Sequence, residues 1–268
     1  MSGFSADWLA LREPYDARAR NRDVLSAVAA AFSALPSMNI VDLACGTGST
    51  PRALAQLLPR RQNWKLVDND LGLLARAANI SYPHATITTA TVDLSRDLEV
   101  VLDGAVDLVT ASALFDLVSA QWLDRLISEA AIRNLPIYGA LNYDGRISFT
   151  PAHTYDATMI AAVNDHQRID KGFGPALGPI APDRAMSRLK AAGYSVVHGP
   201  ADWLLAPQDR AIQIALLDGW AGAVRELQAL PLAEIMAWLT HRRDCVAIAQ
   251  TSVRVGHVDF FAMPIGRR

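Results

Sequence analysis

Cysteine is scarce: Cys45 and Cys245 are the only two in 268 residues. They lie far apart, so they offer neither a metal-ligand spacing nor a disulfide framework. Two free thiols fit a reducing, cytoplasmic setting. A basic excess is missing as well. Lys and Arg total 25 against 27 Asp and Glu, for a net charge of −2. The longest basic runs are the pairs Arg60-Arg61, Arg242-Arg243 and Arg267-Arg268. A chain that neutralises many phosphates carries more positive charge than this, so an extended nucleic-acid surface is not expected. No apolar run suits a membrane span. The uncharged stretch 24–41 is broken by Pro36, Ser37 and Asn39, and reads as a helix of about a dozen residues, a turn and a strand. Asp7, Arg12 and Glu13 interrupt the region where a signal peptide needs unbroken apolar character. Internal repeats and low-complexity tracts are also absent.

Material for a core is plentiful. Apolar residues make up 51% of the chain and charged residues 19%, a globular composition. The length suits one large α/β domain with additions. After a mixed, charged segment 1–22, Val24, Val28, Phe32 and Leu35 share one helical face. A short strand 39–43 runs into Ala44-Cys45-Gly46-Thr47-Gly48, and Thr50-Pro51 reads as the N-cap and first turn of the next helix. Strands follow at 64–67, 85–92, 106–111 and 136–141, alternating with helices that Asp70 and Ser119 are placed to cap. Asp144-Gly145 signals a turn, with 146–150 as a short returning strand. This alternation predicts a doubly wound, mainly parallel sheet with right-handed crossovers. After Thr150 the rhythm breaks. A helix over 156–169 leads to the Gly/Pro loop 171–179, then a helix 183–192, a strand 194–198, two helical segments near 208–227 and 231–245, and a long last strand 252–263.

In such a sheet, ligands bind at the carboxyl ends of the strands. The loop from Asp42 to Gly48 sits at such an end, where Gly46 and Gly48 permit a tight turn and a close backbone approach. Asp68 ends the next strand, in position to accept hydrogen bonds from both ribose hydroxyls of a nucleoside. A dinucleotide fingerprint needs a third glycine where Pro51 stands, so that reading is weaker.

These residues resemble the motifs of class I S-adenosylmethionine-dependent methyltransferases. Val41-Asp-Leu-Ala-Cys-Gly-Thr-Gly-Ser49 resembles the first motif, with Ala44 in place of the commonest first glycine. Leu66–Ala75 is similar to the second, Thr91-Val-Asp-Leu94 to the third, and Asp107–Leu114 to the strand flanking the reaction centre. The resemblance covers roughly residues 38–145. It implies a seven-stranded sheet whose last strand is antiparallel, and S-adenosylmethionine as cofactor. It implies Asp68 on the ribose and Asp93 on the adenine amino group, with Asp42, Ala44, Cys45, Gly46, Gly48, Asn69, Leu94 and Ser112 around the cofactor. It also implies an N-terminal helix offering Tyr15 or Arg20 to the methionine end. Cys45 itself reads as a small packing residue rather than a nucleophile.

Absences narrow the subtype. Ser112-Ala-Leu-Phe115 stands where amino-methylating nucleic-acid enzymes carry Asn/Asp-Pro-Pro-Tyr/Phe, and neither cysteine suits a cytosine C5 nucleophile. Asp116, Asn142 and Asp144 occupy regions where catechol enzymes hold a metal, but capping and turn roles explain them more cheaply, and no metal is expected. The reading is a single domain over 1–268, with 1–37 as helical cover, 151–181 as a lid, and 206–246 as a C-terminal helical addition. It transfers a methyl group to a small-molecule acceptor. The alternatives are an RNA or protein methyltransferase, and a non-catalytic cofactor-binding module. The acceptor site is expected in the lid, with His153 or His166 as catalytic base and Tyr155, Arg168 and Lys171 as substrate contacts. Trp203, Trp220 and Trp238 read as packing for the added helices. Oligomeric state does not follow from the sequence.

Overall fold

A computed structural model describes residues 4–59 and 61–266. Arg60, the Arg267-Arg268 pair and the first three positions of the expected N-terminal cover lie outside the described residues. The chain begins with two helices, α1 (Ala6–Ala19) and α2 (Arg22–Phe32). The alternating part follows: β1 (Ser37–Leu43), α3 (Ser49–Leu54), β2 (Arg61–Asp68), α4 (Leu71–Ala77), β3 (Ala85–Thr91), α5 (Leu98–Leu102), β4 (Leu108–Ser112), α6 (Ala120–Ile132) and β5 (Ile137–Thr150). The remainder is α7 (Asp156–His166), α8 (Ala181–Ala191), β6 (Tyr194–Pro200), β7 (Trp203–Leu205), α9 (Arg210–Glu226), α10 (Leu232–Ala247) and β8 (Ser252–Pro264).

The sheet order is β3-β2-β1-β4-β5-β8-β6, with the short β7 paired to β8. From β3 to β5 the strands are parallel, and β8 inserts antiparallel between β5 and β6. The seven-strand path matches the expectation, and β7 is an eighth strand that three residues between turns did not announce. Helices α5, α6 and α8 bury their apolar faces on one side of the sheet. Helices α2, α3 and α4 cover the other. Val24, Val28 and Phe32 are buried as their spacing requires, but α2 stops at Phe32 and Leu35 is exposed. Asp70 and Ser119 cap α4 and α6 through backbone N–H groups.

Two local readings are corrected. Residues 146–150 do not return on the preceding strand. β5 continues through register shifts to Thr150, paired throughout with β8, because the long β8 offers a partner for the whole length. Thr50 does not cap α3. Gly48 is the N-cap, and Thr50 is buried within the first turn of α3.

Beyond the parallel sheet, the outer halves of β5 and β8 carry a separate layer of α7, α9 and α10. Trp203 and Trp238 are buried there, and the Trp220 ring packs edge-on against Phe149 at 5.8 Å. At the centre of this layer Asp156 accepts hydrogen bonds from Trp238 Nε1 at 2.9 Å, Arg242 Nε at 3.1 Å, Arg242 Nη2, and the His153 backbone at 2.7 Å.

Candidate active site

The glycine loop leaves β1 through three left-handed residues: Ala44 at φ 50°, Gly46 at φ 55° and Gly48 at φ 82°. Ala44 is the position where a glycine was expected, and the backbone there has the conformation that glycine adopts freely. Restoring glycine should relieve this strain. Ala44→Gly should gain about 0.5–1 kcal/mol, read by chemical denaturation, and a loss of stability would show that the Ala44 methyl packs usefully.

The two motif glycines serve different neighbours. A Cβ on Gly46 would sit 3.1 Å from Leu9 of α1, so the helix closes directly on the loop. A Cβ on Gly48 would meet Ile80 at 2.3 Å. A side chain at Gly48 would therefore meet Ile80 and Ala77 beside α4, not the ligand that its spacing suggested. Helix α1 is tied to the loop a second time. Glu13 pairs with Arg52, which donates to the Thr47 carbonyl at 2.7 Å.

Beneath the loop, Asp42 is fully buried. Its Oδ1 accepts the Thr110 hydroxyl at 2.6 Å, while Oδ2 has no partner among the described residues. Burial pushes the Asp42 carboxyl up to about 7, and the nearby Asp68 charge adds to this; the hydrogen bond from Thr110, the nearby Thr50 hydroxyl and the Arg20 charge hold it back. Asp68 ends β2 and is positioned by two backbone donors, Gly46 N–H at 2.9 Å and Asp70 N–H at 3.0 Å. Asn69 beside it is exposed. Asp93 lies just past β3, open to solvent. The Ser95 hydroxyl hydrogen bond holds its carboxyl below the usual range. Leu94 is buried, and its carbonyl accepts the Trp122 indole at 2.7 Å, which pins this loop. Cys45 is buried among apolar side chains, and burial raises its thiol pKa, so the thiolate is suppressed.

Arg20, at the C-terminal end of α1, is buried at the end of β4. It donates to Tyr138 Oη at 3.1 Å and to Ser112 Oγ at 3.3 Å. Asp259 of β8 holds this corner by accepting the N–H groups of Asn21 and Leu141. The structure thus brings Asp42, Gly46, Asp68, Ser112 and Arg20 together at the carboxyl ends of β1, β2 and β4. Tyr15 is not among them. It lies on another face of α1 and donates to Asp209, ahead of α9, at 3.0 Å.

The acceptor residues expected in 151–181 do not converge. His153 stacks on His241 of α10 at 4.4 Å, and Tyr155 is exposed beside it. Both follow the end of β5, whose partner Ser252 lies about 20 Å along β8 from the level of Ser112. His166 binds Glu226 of α9 at 3.0 Å. Arg168 is exposed and pairs with Asp165 at 3.2 Å. Lys171 reaches only the His166 carbonyl, at 3.5 Å. The physical reason is packing: α7 buries Met159 and Val163 against the outer layer, which leaves His166 at its end and the following Arg168 and Lys171 at that layer's rim. The segment still reaches the site through its backbone. Leu177 N–H donates to the Val118 carbonyl at 2.8 Å and Gly178 N–H to the Asp116 carbonyl at 2.9 Å.

Other buried polar groups occupy the end of β4 and the adjoining β5 and β8. Asp116, Asn142 and His257 are all buried, and Asp116 Oδ1, Asn142 Oδ1 and His257 Nδ1 have no partner among the described residues. Asp144, two residues past Asn142, is paired with Arg146. A shallow cleft of about 150 Å³ between Asn39, Lys65, Thr88 and Asp103 opens near the opposite ends of the strands and lies apart from all these groups.

Residues 40–133 match the profile of a protein family described as a methyltransferase domain. No curated protein sequence matches. Solved structures share the fold at low identity. The cyclopropane-fatty-acyl-phospholipid synthase-like protein from Lactobacillus casei superposes with a TM-score of 0.54 at 15% identity, over 98% of this chain and 96% of that one. The cyclopropane synthase MmaA2 from Mycobacterium tuberculosis gives 0.51 at 12% identity, over 97% and 94%. A putative methyltransferase from Bacillus halodurans gives 0.51 at 13% identity, over 90% and 99%.

Proposed function

We propose that the chain is a class I S-adenosylmethionine-dependent methyltransferase and that it methylates a small molecule held beneath α1. The observation that carries the reading is the polar set at the strand ends, above all the unpartnered Oδ2 of buried Asp42 beneath the glycine loop. A buried carboxylate oxygen without a partner is costly, and the ammonium of the cofactor's methionine end would satisfy it. Asp68 would hold the ribose and Asp93 the adenine amino group. The Gly46 turn and Leu94 would bound the nucleoside. Arg20 and Ser112 would face the methionine end. When bound, S-adenosylmethionine supplies a methyl group already activated for in-line displacement, so the protein's part is alignment and exclusion of water.

Two features support a small acceptor. The net charge is −2, with no long basic run. Helix α1 stands over the loop through Leu9 and Glu13, leaving this face covered rather than open to a polymer. In this reading α1 and the 176–178 backbone are the covers of the site, and the layer of α7, α9 and α10 is their support.

Asp68→Ala tests the cofactor assignment. It should weaken S-adenosylhomocysteine binding by about 1.5–3 kcal/mol, roughly ten- to a hundredfold, in calorimetry on the folded variant. Unchanged affinity would remove Asp68 from the site.

A further inference from the structure

Three buried side chains near the end of β4 have polar atoms without partners among the described residues, and none of them belongs to the cofactor set. Asp116 lies four positions past Ser112 in the loop after β4. Asn142 is on β5, where its Nδ2 donates to the Val258 carbonyl at 2.9 Å and its Oδ1 is left over. His257 is on β8, opposite Tyr143. Its ring packs against Trp203 at 5.1 Å and Tyr143 at 6.2 Å.

Arg12 of α1 links this group to the helix over the site. Its guanidinium pairs with Asp16 and lies 5.2 Å from the centre of the Trp203 ring. Its charge acts on both Asp116 and His257. Burial, reinforced by Arg12, pushes His257 down to about 3, so this imidazole is neutral. Burial raises Asp116 to about 6, with its own backbone N–H, the Arg12 charge and the Tyr143 backbone N–H offsetting part of it. The groups facing Asp116 are therefore Arg12, with Asp16 behind it, from α1, Tyr143 from β5, and the Gly178 N–H on its own carbonyl.

Resting on the methyl-transfer reading above, we infer that Asp116 is the proton acceptor for a substrate that presents a hydroxyl or amine, with Arg12 as its positioning residue. The chemistry follows from which atoms are unpartnered. Asp116 Oδ1 and Asn142 Oδ1 both accept hydrogen bonds, so their complement is a ligand that donates O–H or N–H. A carboxylate substrate would set its own negative oxygens against both. In the transfer, the acceptor's O–H or N–H bond breaks and its proton passes to Asp116. The heteroatom's electron pair forms the bond to the methyl carbon, and the carbon–sulfur bond breaks with its pair left on sulfur. A carboxyl group held near neutrality is suited to take that proton and return it to solvent.

Two measurements test this. The first needs no substrate. Carbon-13 NMR on the full chain, labelled at the aspartate carboxyls and assigned with Asp116→Asn, should give Asp116 a midpoint near 6. In Arg12→Met that midpoint should rise by about one pH unit as a neighbouring cation is lost. An Asp116 midpoint in the ordinary carboxylate range near 4 would overturn the proposal. The second incubates the full chain with isotope-labelled S-adenosylmethionine and a deproteinised metabolite extract. The product should be a methyl ether or methylamine. Asp116→Asn should lower its formation at least about a hundredfold while binding S-adenosylhomocysteine with wild-type affinity. A methyl ester product, or undiminished transfer by Asp116→Asn, would also overturn it. Wild-type protein that binds no S-adenosylhomocysteine would instead sink the methyl-transfer reading, and that result is independent of the Asp116 midpoint.

Discussion

Between pH 4 and pH 8, Asp42→Asn should gain stability relative to the parent protein by about 4 kcal/mol. The Asp42 carboxyl stands at about 7 in the fold against 3.8 in the unfolded chain. The folded state therefore holds its proton more tightly. Below 3.8 both states are protonated and the group costs nothing. As pH rises toward 7 the unfolded chain ionises first, so stability from this group falls, and above 7 the full cost is present. Asparagine does not ionise, so the difference between variant and parent should widen along that window. Chemical denaturation at several pH values reads it directly. The comparison across pH also cancels any fixed cost of the amide in the site.

The same group links stability to ligand. An ammonium beside Oδ2 would favour the ionised carboxyl, so saturating S-adenosylhomocysteine should flatten the parent's loss of stability toward pH 7. A difference between Asp42→Asn and the parent that stays constant from pH 4 to pH 8 would mean that Asp42 is solvated. The premise for its role in the site would then fail.

The second large effect lies outside the site. Asp156→Ala should destabilise the protein by about 3–5 kcal/mol, because it leaves the Arg242 charge buried and unpaired. The Arg242 side chain is 0% exposed, lies 4.2 Å from the centre of the Phe149 ring, and also donates to the Pro151 carbonyl. Asp156 is the group that gathers α7, the Trp238 indole and Arg242 of α10 into one layer. Replacing both partners with apolar residues, Asp156→Leu with Arg242→Met, should recover most of the loss, since neither charge is then left alone. Denaturation of the single and double variants checks this, and a single-variant loss below about 1 kcal/mol would show that water reaches the pair. Because the pair sits in the outer layer, S-adenosylhomocysteine affinity of the folded variant should be unchanged.

The features legible in the chain were those carried by near neighbours. The strand–helix alternation, the caps at Asp70 and Ser119, the left-handed turns at Gly46 and Gly48, and the acidic strand ends at Asp68 and Asp93 each depend on a few consecutive residues. Their backbone geometry is set by local sterics and hydrogen bonds, so residue type and spacing reveal them. Thr50 marks the limit of that reasoning. It has the composition of a cap, yet Gly48 takes the cap and Thr50 is buried inside the first turn. His153 and His166 mark it further. A histidine's chemistry is readable from its name, but its direction was set by the packing of the outer layer, which placed His166 against α9 and His153 against α10. The cluster of Arg12, Asp116 and His257 had no local signal at all. Its members come from the first helix, a central loop and the last strand, and no periodicity relates them. They meet because β8 inserts beside β5 and α1 folds back over the strand ends. Long-range burial alone selects such contacts, and it also left Asp116 and His257 with polar atoms that no neighbour satisfies.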